Sequence, residues 1–301
     1  MTTTPTPHSA TSHRAARRFV PAFTAAALAV GLAACGDDQA SSDRPVDPPA
    51  DTIAPPGTVT PTVPPTTVAP GFEHPTGADE VVVEIGYEGG FMMVDAAFGQ
   101  VPTLLVGGDG SRYVLGPVPA IYPGPLLPNV LVSQVGEDGI QKLLELAAEH
   151  GLLTEREYER NDMIADAPDT VVRISANGET YEHRAYALGF GDDETGDRAE
   201  LQAFVEAATS ELAMDDAAFE PEAYLLRATP VTDLDGYEID PTVVDWPAES
   251  SLLLADAADC VEVPAGSVHE LLADANQLTF FVQDDVTYQM TAKPQLPGAS
   301  C

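Results

Sequence analysis

The sequence predicts an α+β fold in which one or two antiparallel, hairpin-rich sheets are accompanied by about three helices. Short apolar runs recur from residue 81 onwards, and tight-turn sequences such as Asp109-Gly110 and Asn177-Gly178 separate several of them. Two longer segments, 137–150 and 198–214, carry apolar residues at helical spacing. A division into two subdomains near residues 230–245 stays open as an alternative.

The strands are expected in short segments joined by turns. They are predicted at 81–87, 103–106, 112–115, 130–134, 170–175, 180–188, 223–228, 278–282 and 286–291. Asn177-Gly178 gives the strongest hairpin signal, because both central residues of such a turn need positive φ. The Pro-rich stretch 116–128 is expected to cross irregularly to the fourth strand, and Asp284-Asp285 is expected to join the last two strands.

The helices are predicted from apolar stripes. The first stripe ends before Gly151, a typical C-terminal stop, and consists of Ile140, Leu143, Leu144 and Ala147. The second consists of Leu201, Phe204, Val205, Ala208 and Leu212. A third, shorter helix is expected around Val268, Leu271, Leu272 and Ala275.

The N-terminus has the layout of an export signal. Arg14, Arg17 and Arg18 precede the uncharged apolar run 19–34, and small residues lead into Cys35. Leu32-Ala33-Ala34-Cys35 resembles the lipobox of bacterial lipoproteins, in which the Cys thiol is acylated and becomes the first mature residue. Residues 1–34 are therefore predicted to be a lipoprotein signal peptide, with Cys35 as the lipidation site.

Other interpretations of this segment remain open. A plain signal peptide would leave Cys35 as a free thiol. A retained membrane anchor fits less well, because a spanning helix needs about 20 apolar residues and the run contains Pro21. Arg17-Arg18-Phe19 partly matches a twin-arginine signal but lacks the usual spacer. Two acyl chains on Cys35 would place the protein on the extracytoplasmic face of the cell membrane without further contacts.

Residues 36–79 are rich in Pro, Thr, Ala and Asp and show no strand or helix periodicity. Segment 35–79 is therefore predicted to be a disordered linker that starts at the lipidated Cys, and 80–301 to be the extracytoplasmic domain. At about 3.1 Å per residue, a polyproline II linker of this length spans on the order of 100 Å. A proline-motif ligand or a Thr-glycosylated stalk is the alternative.

The net charge of the chain limits the kinds of molecule that it can bind. The chain has 13 Lys and Arg against 48 Asp and Glu, a net charge of −35. Once the three signal-peptide arginines are removed, ten basic residues face 48 acidic ones, a net charge of −38. Nucleic acid is excluded as a partner, because binding phosphate needs a basic surface. Anionic lipid headgroups are disfavoured as well, so membrane contact is expected through the lipid anchor only. An envelope protein or a cell-wall component remains as a partner.

Cys260 and Cys301 form an even pair in a chain expected to be exported, which predicts one disulfide. Two unpaired thiols are the alternative. Metal binding is less favoured, because neither a Cys-x-x-Cys motif nor a His cluster accompanies the two cysteines.

Several segments together resemble an uncharacterised family of secreted actinobacterial lipoproteins. They are 108–110, 122–128, 166–172, 186–189 and the ending 293–301. The resemblance spans most of residues 80–301. It implies an extracytoplasmic location and a terminal disulfide, and it implies no activity. Gln295 departs from the pattern, since an apolar residue is expected there.

The sequence contains no complete catalytic or metal-binding motif. His269-Glu270 lacks the second His of a zinc-protease helix, and there is no Gly-x-Ser-x-Gly elbow. The acidic runs 192–197 and 233–236 are expected to be a helix start and a turn, with calcium binding as the weaker alternative. His150, His183 and His269 are expected in solvent or at helix ends.

No catalytic, cofactor-binding or metal-binding residue is therefore predicted, and no cofactor. The predicted function is that of a lipid-anchored, non-catalytic binding or interaction module of the cell envelope. One alternative is a solute receptor of a transporter, although such receptors usually have two α/β lobes around a cleft. The other is a secreted hydrolase that depends on carboxylates, although nothing in the sequence selects a catalytic pair.

Overall fold

The computed structural model describes residues 71–301 except 93, 192–193 and 212–214. The predicted signal peptide, Cys35 and residues 36–70 of the predicted linker lie outside the described residues. The rest of the predicted linker, 71–79, contacts the domain, since Phe72 packs against the core beneath α2 and its N–H donates to Gln141 at 2.8 Å. The α+β prediction is confirmed. The described part of the chain contains twelve strands, which form two sheets, and four α-helices.

The first sheet has the strand order β6-β5-β1-β2-β3-β4-β7, and every pair is antiparallel. Its strands are β1 (Val81–Gly89), β2 (Leu104–Gly107), β3 (Ser111–Leu115), β4 (Val130–Gln134), β5 (Pro168–Ala176), β6 (Glu179–Tyr186) and β7 (Ala217–Ala218). The chain forms a β1–β4 meander and then returns to pair β5 with the other side of β1. Strands β1 and β5, which are neighbours in the sheet, are thus far apart in sequence.

The helices are α1 (Val94–Phe98), α2 (Gly136–Glu149), α3 (Gly196–Glu211) and α4 (His269–Ala273). Helices α2 and α3 cover one face of the first sheet, and the described residues of their predicted apolar stripes pack in the core there, whereas Leu212 lies outside the described residues. Ile140, Leu143, Leu144 and Ala147 of α2 pack there with Leu201, Phe204 and Ala208 of α3. Gly151, with φ of 69°, follows α2 as predicted.

Two predicted hairpin turns have the backbone that their sequences require. Asn177 and Gly178 have φ of 55° and 77°, and Asp284 and Asp285 have φ of 51° and 62°. Both residues of each turn are therefore left-handed, as in a type I′ turn. Gly110, in the predicted turn Asp109-Gly110, also has a positive φ, 81°. A Cβ at that position would lie 2.9 Å from the backbone of Gly136, so a side chain has no room there.

The second sheet has the order β10-β8-β12-β11-β9, in which only the β9–β11 pair is parallel. Its strands are β8 (Ala223–Val231), β9 (Thr242–Asp245), β10 (Val261–Pro264), β11 (Thr279–Gln283) and β12 (Val286–Pro294). Short 3-10 segments lie at Leu254–Asp256 and Ala265–Ser267. The core on one face of this sheet contains Trp246, which meets Phe281 edge-to-face at 5.7 Å.

The predicted disulfide is confirmed, because Cys260 and Cys301 are bonded with their Cα atoms 5.3 Å apart. It ties the last residue of the chain to the residue that precedes β10. Within the described residues, none of the helices has the length and apolar character needed to span a bilayer.

Candidate functional site

The outer face of the first sheet, opposite α2 and α3, carries the charged residues of three strands. On β1 and β5, the side chains of Ile85 and Ile174 join the core beneath the helices. Because successive side chains of a strand point to opposite faces, Glu84 and Arg173 lie on the outer face. The register places these two residues directly opposite each other across the β1–β5 pair.

These charges form one ion-pair network. The guanidinium of Arg173 donates to Glu84 at 3.1 Å, to Glu88 at 2.7 Å and to Glu182 at 2.9 Å. Arg184 donates to Glu88 at 2.6 Å and to Asp169 at 3.2 Å. Each nitrogen of the Arg173 guanidinium therefore already has a carboxylate partner.

The network sets the protonation of its members. Burial alone would raise the pKa of Glu88, but hydrogen bonds from Arg184 and Arg173 outweigh it and hold that pKa below its usual range. For Arg173, burial lowers the pKa, and the hydrogen bonds to Glu88 and Glu182 reverse the effect and raise it. Both groups are consequently charged at neutral pH.

The C-terminal segment 295–299 covers the other half of the outer face. Leu296 packs with Leu105 and Val130 in a small third core. The side-chain amide of Gln295, where the sequence resemblance suggested an apolar residue, donates to Glu262 at 2.8 Å and to the Ala299 carbonyl at 3.3 Å. This segment is therefore fixed at its start by packing and hydrogen bonds and at its end by the disulfide.

A groove of about 300 Å³ lies between the charged half of the face and this segment. Its floor is formed by residues of β1 and β5, namely Glu84, Gly86, Glu88, Val171 and Arg173. One wall is the segment after α1, with Gln100, Val101 and Pro102, and the other is 293–299. We call this site the outer-face groove.

Lys293 is the most distinctive residue of the outer-face groove. It lies near the end of β12, whose Met290 and Ala292 point the other way into the second core. Its Nζ donates one long hydrogen bond, 3.4 Å, to the Gln100 carbonyl and lies 5.1 Å from the centre of the Phe98 ring. Burial lowers the pKa of Lys293, and the charge of Glu84 only partly opposes this effect.

Lys293 differs from the arginines in its ion pairing. All seven arginines of the described residues lie within 4.0 Å of a carboxylate. Lys293 makes no such ion pair within the described part of the chain. A half-buried ammonium group with no carboxylate within 4.0 Å among the described residues is the type of group to which an anionic ligand binds.

The acidic runs considered for calcium are used in other contacts. Glu194 accepts from Arg198 at 2.6 Å, and Asp197 accepts from Arg156 at 2.7 Å, whereas residues 192–193 lie outside the described residues. Asp233 accepts from the backbone N–H of Asp235 at 2.7 Å, as in a turn. Between residues 71 and 301, as far as they are described, no group of three or more His, Cys, Asp or Glu could hold a metal ion.

The expectation that His183 lies in solvent or at a helix end is wrong. His183 is fully buried in β6. Its Nε2–H donates to the Leu152 carbonyl at 2.8 Å, so its Nδ1 accepts from the Tyr158 hydroxyl, also at 2.8 Å. Burial lowers the pKa of His183 and raises the pKa of Tyr158 to about 12. The pair attaches segment 152–158 to the edge of the first sheet, a structural role.

Of the site residues predicted from the sequence, only the disulfide contributes to the outer-face groove, through the segment that it fixes. Lys293 lies in the ending 293–301 on which the resemblance rested, but neither it nor Arg173 was given a role, because the groove unites residues from distant parts of the chain. The alternation of Glu84 and Glu88 with apolar residues was the only local signal.

The chain matches no protein-family model, no curated protein and no solved structure.

Proposed function

We propose that this chain is a lipid-anchored envelope protein whose folded domain is a non-catalytic binding module. Its ligand binds in the outer-face groove through a carboxylate that pairs with Lys293. The observation that carries the proposal is this ammonium group, which is half-buried, has one long hydrogen bond and makes no ion pair among the described residues.

The ligand chemistry follows from the residues around Lys293. A lysine has three N–H donors, and charge-assisted hydrogen bonds to a carboxylate are among the strongest in proteins. Glu84 and Glu88 in the floor disfavour a dianion such as a phosphate monoester. Leu105, Leu296 and Pro102 supply apolar wall area for a neighbouring alkyl group. A carboxylate next to an apolar side chain, as at the C-terminus of a peptide, fits this combination.

The carboxylates of the groove are poorly suited to catalysis, which supports a binding role. A glycosidase-type mechanism needs one carboxyl group with a raised pKa that can donate a proton near neutral pH. Glu88 has a lowered pKa, and Glu84 accepts a hydrogen bond from Arg173.

Binding can be tested with a matched pair of probes, N-acetyl-Ala-Leu with a free carboxylate and the same peptide as its amide. At a concentration of 100 times Kd, a ligand stabilises a protein by about 2.7 kcal/mol, which is about 5–11 °C in Tm for a domain of this size. We expect the acid to raise Tm and the amide to have little effect. Lys293→Met should abolish the rise, and Lys142→Met on the exposed side of α2 should leave it unchanged.

Equal shifts with acid and amide, or an unchanged response in Lys293→Met, would contradict this ligand class. No shift with the acid up to tens of millimolar would also refute it. A large rise confined to one free solute would favour the solute-receptor alternative.

The anchor is tested separately by Cys35→Ser. We expect the wild-type chain in the membrane fraction and the variant in the medium, because two acyl chains supply all of the membrane affinity. A variant that remains in the membrane fraction would refute the lipid anchor but would leave the groove proposal intact.

A further inference from the structure

Three loops meet at one end of the first sheet. They are 90–92 after β1, 161–167 before β5 and 187–191 after β6. Because β5 pairs antiparallel with both β1 and β6, the end of β1, the start of β5 and the end of β6 lie side by side. The loops are also bonded to one another, since the Phe91 N–H donates to the Asp166 carbonyl at 3.1 Å and the Asn161 side chain donates to the Phe190 carbonyl at 3.3 Å.

Each loop exposes a large apolar side chain. Phe91 is 92% exposed, Met163 is 93% exposed and Phe190 is 47% exposed. We call these three residues the end patch. Single exposed apolar residues are common, but three of them gathered from separate loops are typical of an interaction surface. The hydrogen bonds between the loops keep the backbones of these residues together at the surface.

Acidic residues lie in and beside one of the three loops of the end patch. Glu159, Asp162 and Asp166 are exposed in or beside loop 161–167. Arg160 is the single basic residue of segment 159–167; it stacks 3.7 Å from the centre of the Tyr186 ring and lies 3.4 Å from Asp162. Residues 71–301 as a whole carry 43 acidic and 9 basic residues, a net charge of −34.

From this arrangement we infer that the end patch is a docking surface for a cationic, amphipathic segment of a partner protein. The apolar face of that segment packs on Phe91, Met163 and Phe190, and its Lys or Arg residues meet Glu159, Asp162 and Asp166. A second copy of this chain or an anionic membrane would be repelled by the net negative charge, which leaves a basic partner as the occupant. The inference is independent of the ligand in the outer-face groove.

The test uses a synthetic amphipathic Lys/Leu helical peptide and a Lys/Ser peptide of the same charge and length, each with a fluorescent label. We expect the folded domain to bind the Lys/Leu peptide more tightly than the Lys/Ser peptide. The double variant Phe91→Ser/Met163→Ser should lose that difference, with at least a tenfold weaker affinity for the Lys/Leu peptide. The matched control Ile121→Ser/Leu253→Ser removes two exposed apolar residues elsewhere and should bind as the wild type does.

Three results would overturn the inference. One is unchanged binding by the Phe91→Ser/Met163→Ser variant with an unchanged circular dichroism spectrum. Another is equal affinity for the two peptides, which would show a general attraction by charge alone. The third is binding of the wild type, but not of the variant, to uncharged phosphatidylcholine vesicles while the Lys/Leu peptide shows no preference, which would identify the patch as a lipid contact.

Discussion

Removal of the Cys260–Cys301 disulfide tests how the C-terminal segment is held. The perturbation is the double variant Cys260→Ser/Cys301→Ser. The bond closes a loop with a sequence separation of 41 residues. In the chain-entropy model a loop of that size restrains the unfolded chain by about 4 kcal/mol, an upper figure because strain and residual structure reduce it. At 2–4 °C per kcal/mol for a domain of this size, Tm should fall by about 8–16 °C.

Urea unfolding followed by tryptophan fluorescence is a suitable assay, because Trp246 is the only tryptophan of the chain and is buried in the second core. We expect a lower urea midpoint with a similar slope. The variant should also bind the acid peptide more weakly, since residues 297–299 line the outer-face groove and, beyond Leu296, are then held only by the hydrogen bonds of Ala299 to Gln295 and Leu296. Ser300→Ala, next to the cystine, is the matched control and should change neither quantity.

The result that would refute this reasoning is a loss below about 1 kcal/mol together with wild-type peptide binding. Packing of Leu296 and the hydrogen bonds of Gln295 would then suffice to hold the segment.

The remaining predictions concern the core, one buried histidine and one turn. Phe204→Ala, at a fully buried position of α3, should destabilise the domain by roughly 3–5 kcal/mol in urea unfolding. His183 has a lowered pKa in the folded state, so the unfolded chain binds more protons; stability should fall as pH drops below about 6.5, the ordinary pKa of histidine. His183→Gln, measured between pH 5 and 8, should reduce that slope. Gly110→Ala should cost more than Gly178→Ala, because both positions have positive φ but only Gly110 has backbone within 3 Å of a new Cβ.

Each of these has a contrary outcome. A cost for Phe204→Ala no greater than that of the exposed control Glu206→Ala would contradict the assignment of the first core. An identical pH slope in wild type and His183→Gln would exclude this histidine as the titrating group. Equal costs at the two glycines would mean that the close approach to Gly136 is easily relieved.

The parts of the fold that sequence reasoning predicted are those with local signals. The hairpin at Asn177-Gly178 was predicted because its turn chemistry fixes both the loop length and the backbone. Helix α2 was predicted from its stripe, and its bounds differ from the prediction by one residue at each end. The disulfide followed from the count of cysteines and from the expected export.

The missed features depend on distant contacts. Strand β9 has four residues and pairs in parallel with β11. Because parallel neighbours are not joined by a hairpin turn, the sequence has no turn signal that would indicate this strand. Helix α1 has five residues, too few for a periodic pattern. The outer-face groove brings together residues 84, 173 and 293, whose proximity depends on the pairing of β1 with β5 and on the course of the chain after β12. His183 was misplaced although Tyr181, His183 and Ala185 share one face of a strand, a pattern that could have indicated burial.

The edges of the two sheets have a consequence for behaviour at high concentration. Edge strand β7 has two residues, and β9 and β10 have four each. The longer edge strand β6 has eight residues and carries the exposed charged side chains of Glu179, Glu182 and Arg184. Long unprotected edges are where neighbouring molecules add strands to one another and begin to aggregate. Many copies crowded together should therefore remain separate, because each sheet edge that the structure describes is either short or carries exposed charged side chains.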